Sequence, residues 1–79
     1  MVTIKNIKAN NVIISAEYVP ENSNEVGKIS IDRFSGKVIK KILTESDKIG
    51  PIYFYKALTF LQELKTSENI PEEKTIMWY

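Results

Sequence analysis

Carboxylates are the first residues to consider, because the chain of 79 residues contains no cysteine and no histidine. Their absence removes disulfides, thiolate nucleophiles, sulfur-ligated metals and the commonest general base and metal ligand together. Three acidic pairs remain that could act as acid and base or hold a hard cation: Glu72 with Glu73, Glu45 with Asp47, and Asp32 near Glu25. None has diagnostic spacing. Adjacent glutamates after Ile70-Pro71 read as a solvated turn, and Glu45-Ser46-Asp47 reads as a loop with a capping residue for a helix that follows. Serine and threonine nucleophiles lack a histidine partner, and the three glycines form neither a phosphate-cradling loop nor a dinucleotide fingerprint. The expectation is a protein that is not an enzyme and uses no cofactor or metal.

Two groups of residues could bind instead. Lys28, Arg33, Lys37, Lys40 and Lys41 gather around one hairpin, where a basic stripe could neutralise phosphates while tyrosines of the sheet stack on single-stranded bases. Eleven basic against ten acidic side chains leave a formal charge of only +1, and Arg33 is the only arginine. The same lysines are therefore read first as protection of a sheet edge. The aromatic clusters Tyr53-Phe54-Tyr55 and Met77-Trp78-Tyr79 supply contact area at little cost in rotamer entropy. Half of each cluster must point away from a single core, which makes Tyr55 and one of Trp78 or Tyr79 the expected exposed aromatics. With Ile13 and Val19 on the outer side of a sheet, Tyr55, Trp78 and Tyr79 form the candidate partner surface.

These residues must be positioned by a small number of elements. Apolar runs Val2 to Ile7 and Val12 to Val19 flank Ala9-Asn10-Asn11, and asparagine tolerates the backbone of a tight reversal, so the two runs form a hairpin. Val12, Ile14, Ala16 and Tyr18 share one parity and should face the core. The first run breaks phase between Ile4 and Ile7, which predicts a bulge near Lys5-Asn6; the alternative leaves Ile7 paired with Ile13 on the outer face. A polar connection from Pro20 to Glu25 leads to Ile29 and Ile31, and D-R-F-S-G-K turns the chain into Val38-Ile39-Lys40-Lys41-Ile42-Leu43. Asp32 accepts bonds from the turn amides and Gly36 supplies positive φ. The fourth run fits a strand or a short helix, and its β-branched content favours the strand. That hairpin, Ile31 to Ile39, resembles the D-x-x-S/T-G-x-V/I hairpin of PepSY-type domains and of many propeller blades. Those PepSY modules place a helix before the hairpin, whereas here it follows, so the resemblance implies turn geometry and no function.

After Gly50-Pro51 a helix from Ile52 to about Thr66 aligns Phe54, Ala57, Leu58, Leu61 and Leu64 on one stripe, flanked by Tyr53 and Phe60, with Lys56, Thr59, Gln62 and Glu63 opposite. Lys74 to Tyr79 reads as a last strand that pairs within the sheet. The predicted fold is α+β: an antiparallel sheet of about five strands in the order ββββαβ, with one amphipathic helix packed on one face, and residues 1–79 forming a single domain. The other face should carry Ile13, Val19 and whichever of Val38 and Ile39 points outward. Such a face invites cover, so the expected role is a protein-interaction or regulatory module that binds a protein partner or forms a homodimer. Nucleic-acid binding through the lysine-rich hairpin is the alternative. The terminus M-V-T-I-K-N-I-K has no long apolar run, so no membrane partner and a cytoplasmic location are expected. The bias towards lysine, isoleucine and asparagine is what AT-rich codons produce in a low-GC bacterium or its phage.

Overall fold

The computed structural model describes residues 1–77. Within them the chain forms β1 (Val2–Ala9), β2 (Ile13–Pro20), β3 (Gly27–Asp32) and β4 (Val38–Ile42), then a 3-10 turn at Glu45–Asp47. The helix α1 (Ile52–Glu63) follows, with a 3-10 extension at Leu64–Thr66, and β5 (Lys74–Ile76) closes the order. All pairings are antiparallel and the sheet order is β4-β3-β2-β1-β5, so the chain returns from the helix to lay β5 beside β1. This is the α+β arrangement the sequence predicts, with the last strand paired and the fourth run a strand.

The phase break in β1 is a bulge. Lys5 pairs with Glu17 and Lys8 with Ser15, so Asn6 and Ile7 together oppose Ala16. Asn6 adopts a φ of 52°, the left-handed conformation that asparagine tolerates better than most residues. The extra residue rotates Ile7 into the core beside Val2 and Ile4 and lets its amide donate to the Glu72 carbonyl at 3.2 Å. In β2, Ile14, Ala16 and Tyr18 are buried as the alternation requires. Val12 departs from it, with 62% of its surface exposed. The Asn10 side-chain oxygen accepts from the amides of Val12 and Ile13 at 2.7 and 2.8 Å, and this local turn holds Val12 outside the ladder.

The β3–β4 turn closes as its residues dictate. One Asp32 carboxyl oxygen accepts from the amides of Phe34 and Ser35 at 2.8 and 2.9 Å, while Gly36, at φ 79°, donates to the Asp32 carbonyl at 2.8 Å. These amide donors hold the Asp32 carboxyl below the usual range. A second irregularity follows, since Ser30 pairs with Lys40 and Ile31 with Val38, leaving Ile39 as the extra residue.

The helix lays Phe54, Ala57 and Leu61 on the sheet, continued by Leu64 in the 3-10 extension, with Leu58, Tyr53 and Phe60 partly buried at the margins. Against them pack Val2, Ile4, Ile7, Ile14, Ala16, Tyr18, Ile29 and Ile31. Each large aliphatic or aromatic side chain so buried contributes about 1.5–3 kcal/mol. The helix start is fixed by Asp47, which has no exposed surface and accepts from the amides of Tyr53 at 3.2 Å and Phe54 at 2.8 Å. Its third donor is Tyr18, whose hydroxyl donates to Asp47 at 3.0 Å and accepts from the Thr44 amide at 3.2 Å. Beneath the Tyr18 ring lies Gly27, where a Cβ would stand 2.1 Å from a ring carbon.

Candidate functional site

The uncovered face of the sheet can be read row by row from the register. Lys5, Glu17, Lys28 and Ile42 lie in one row across β1 to β4, and Lys8, Ser15, Ser30 and Lys40 lie in the next. Towards one end Thr75, Thr3 and Val19 align across β5, β1 and β2, and towards the other Ile13 pairs with Asp32. The middle of this face is polar, with the expected Ile13 and Val19 standing towards its two ends. The two bulges account for it: the first carries Ile7 to the helix side, and the second places Val38 opposite the buried Ile31.

The predicted partner surface is not brought together. Ile13 and Val19 are on the uncovered face, half-buried and separated along β2 by Ser15 and Glu17. Tyr55 belongs to the helix layer, where it is 52% exposed and its ring meets Phe54 edge-on at 5.6 Å. Trp78 and Tyr79 lie outside the described residues.

The basic stripe divides in the same way. Lys28 and Lys40 face outward with Lys8, a residue the sequence reading did not select. Lys41 pairs with Ile29 on the helix side, its ammonium 5.3 Å from the Phe54 ring centre and 5.9 Å from that of Tyr55. Lys37 sits exposed just past the turn glycine. Arg33 departs from the stripe altogether. Its guanidinium donates to the carbonyls of Asn10 and Ser67 at 2.9 Å each and of Lys65 at 3.4 Å, tying the first hairpin to the helix C-terminal end. Of these carbonyls Lys65 belongs to the C-terminal extension of the helix, where a cation is favoured, and with three carbonyls to hold, the guanidinium has little left to offer a ligand.

The three carboxylate pairs also stay apart from catalytic geometry. Glu45 accepts from Lys48 at 2.8 Å, Asp47 is buried under the helix start, and Asp32 and Glu25 stand at opposite ends of β3. Glu25 caps the Glu45 amide at 2.8 Å. Among the described residues, no three acidic side chains come together as a metal site, and no helix is long and apolar enough to cross a membrane.

Two features on the surface have the character of sites. One is the β4 edge, where every residue from Val38 to Ile42 is exposed and three of the five are apolar, with Tyr55 of the helix beside its Lys41. The other is an open depression of about 360 Å³ on the uncovered face, around Ser15 and Ser30. No protein-family model matches the chain, and no curated protein or solved structure matches it either.

Proposed function

We propose that the protein is a non-catalytic interaction module that takes an extended acidic segment of a partner protein as an added strand along β4. The observation that carries this reading is the β4 edge itself, exposed along its whole length and carrying Val38, Ile39 and Ile42. An edge strand presents unpaired amides and carbonyls that an incoming strand can satisfy, while its side chains select the sequence that pairs. The opposite edge, β5, has only three residues and gives a shorter template.

Charge decides between a second copy and an acidic segment. A two-fold pairing of β4 with itself, centred on Lys40 or between Lys40 and Lys41, sets lysine against lysine, and like charges directly opposite are destabilising. Glutamate or aspartate at the same positions would turn that repulsion into cross-strand pairs worth about 0.2–1 kcal/mol each. The lysines that keep copies apart thus favour an acidic partner. Lys41 is held near the edge by the faces of Phe54 and Tyr55, and exposed Tyr55 adds an aromatic surface beside it.

The test is a titration of a labelled peptide of alternating valine and glutamate, followed by fluorescence anisotropy. Binding should weaken about tenfold in Lys41→Glu, and that variant should gain affinity for the matching valine–lysine peptide, since reversing one close charge pair is worth on the order of 1 kcal/mol. Equal affinity of both peptides for both proteins would overturn the reading, as would sedimentation showing that β4 is closed in a stable dimer.

A further inference from the structure

We infer that the depression on the uncovered face of the sheet is a binding site for a phosphate monoester. This rests on residues of β1, β2 and β3 as well as Lys40, and it does not depend on the strand-addition reading. Ser15 and Ser30 are direct cross-strand partners and form the floor. Lys8 and Lys40 stand at the two ends of the same row, and Lys28 rises from the neighbouring row. Adjacent strands lie about 4.7–4.9 Å apart, so the end lysines, bent inward, can meet over the two serines.

The donors are free to receive a ligand. None of Lys8, Lys28 and Lys40 has an ion-pair partner among the described residues, where the ion pairs are Met1 with Glu21 and Lys48 with Glu45. The serine hydroxyls make no hydrogen bond within the described residues either. The lining holds one carboxylate, Glu17, and the Asn6 side-chain amide donates to it. The bulge that puts Asn6 in a left-handed conformation therefore supplies a partner for Glu17 other than the lysines.

The charge and shape of the site select among anions. Three ammonium groups and one carboxylate leave an excess of two positive charges. A phosphate monoester carries about −1.5 to −2 near neutral pH and three strong acceptor oxygens, enough to engage lysines and hydroxyls together. A carboxylate or a phosphodiester brings a single charge. Stacking of nucleic-acid bases would need aromatic side chains, and the rows of this face contain none among the described residues.

The experiment is an NMR titration of the full chain with inorganic phosphate, O-phosphoserine, a phosphoserine peptide, a phosphodiester and oligothymidylate. Amide shifts should concentrate at Lys8, Ser15, Lys28, Ser30 and Lys40. Monoesters should bind at least about tenfold tighter than the diester, and tighter at pH 7.5 than at pH 5.5 because the second phosphate ionisation falls near 6. Lys28→Gln should weaken binding severalfold and Glu17→Gln should strengthen it, both with unchanged circular dichroism. Equal affinity for O-phosphoserine and the peptide identifies a small phosphorylated molecule as the source, whereas a tenfold advantage for the peptide identifies a modified protein; both support the site. Tighter binding of oligothymidylate, shifts spread over all lysines, or affinity unchanged by Lys28→Gln and Glu17→Gln would overturn it.

Discussion

A carboxyl group withdrawn from water needs donors, and Asp47 has three: the Tyr18 hydroxyl and the amides of Tyr53 and Phe54. Two of these are amides that every helix leaves unpaired at its start, so one side chain both caps α1 and locks it to β2. Asp47→Ala should lose about 2–4 kcal/mol in urea unfolding, because it strands buried donors as well as removing the cap. In a double-mutant cycle, Tyr18→Phe and Asp47→Ala should be coupled, and additive losses would refute the linkage. Tyr18 also makes a prediction about pH. Burial, reinforced by the charge of Asp47, raises its pKa above the ordinary value near 10, although the Thr44 bonds pull the other way. A raised folded-state value stabilises the protein fully below the unfolded pKa and loses that contribution as pH rises through the folded one. Unfolding free energies measured from pH 9 to 12 should therefore fall for the native chain and fall less for Tyr18→Phe. Sequence alone exposed Asp47 only as a capping candidate. Its partner is 29 residues away, and so distant a pair leaves no periodicity to read.

At the scale of elements, the legible features were those with a local period or a local turn. The β1 bulge could be read from the phase break between Ile4 and Ile7, the β3–β4 turn from Asp32 and Gly36, and the helix stripe from its spacing. Lys8 escaped the reading for the same reason the bulge was visible. Without the bulge its parity matches Val2 and Ile4, and only the inserted residue turns it outward to join Lys28 and Lys40. The structural role of Arg33 leaves no local signal, because the carbonyls it holds come from segments 23 to 34 residues away. Gly27 went unnoticed because its need for no side chain is set by the Tyr18 ring on another strand. The bulge permits a direct check. Asn6→Gly should leave stability within about 0.5 kcal/mol, whereas Asn6→Val should cost about 1–3 kcal/mol, since a β-branched residue resists positive φ. Equal thermal midpoints for the two variants would mean that the left-handed residue is not what sets the register.

For the molecule as a whole, the two sheet faces and the two sheet edges are unlike. One face is sealed by α1, and the other is a polar surface with Ile13 and Val19 towards its ends. One edge is the short β5, and the other is β4, exposed throughout and lined by lysine and β-branched side chains. Strand addition at β4 is the claim on which the functional account turns, and backbone hydrogen exchange reads it most directly. On adding the valine–glutamate peptide, the β4 amides without a partner in β3 should become protected while those of β5 do not change. Protection that appears at β5 instead, or no change at β4 with the peptide bound, would contradict the account.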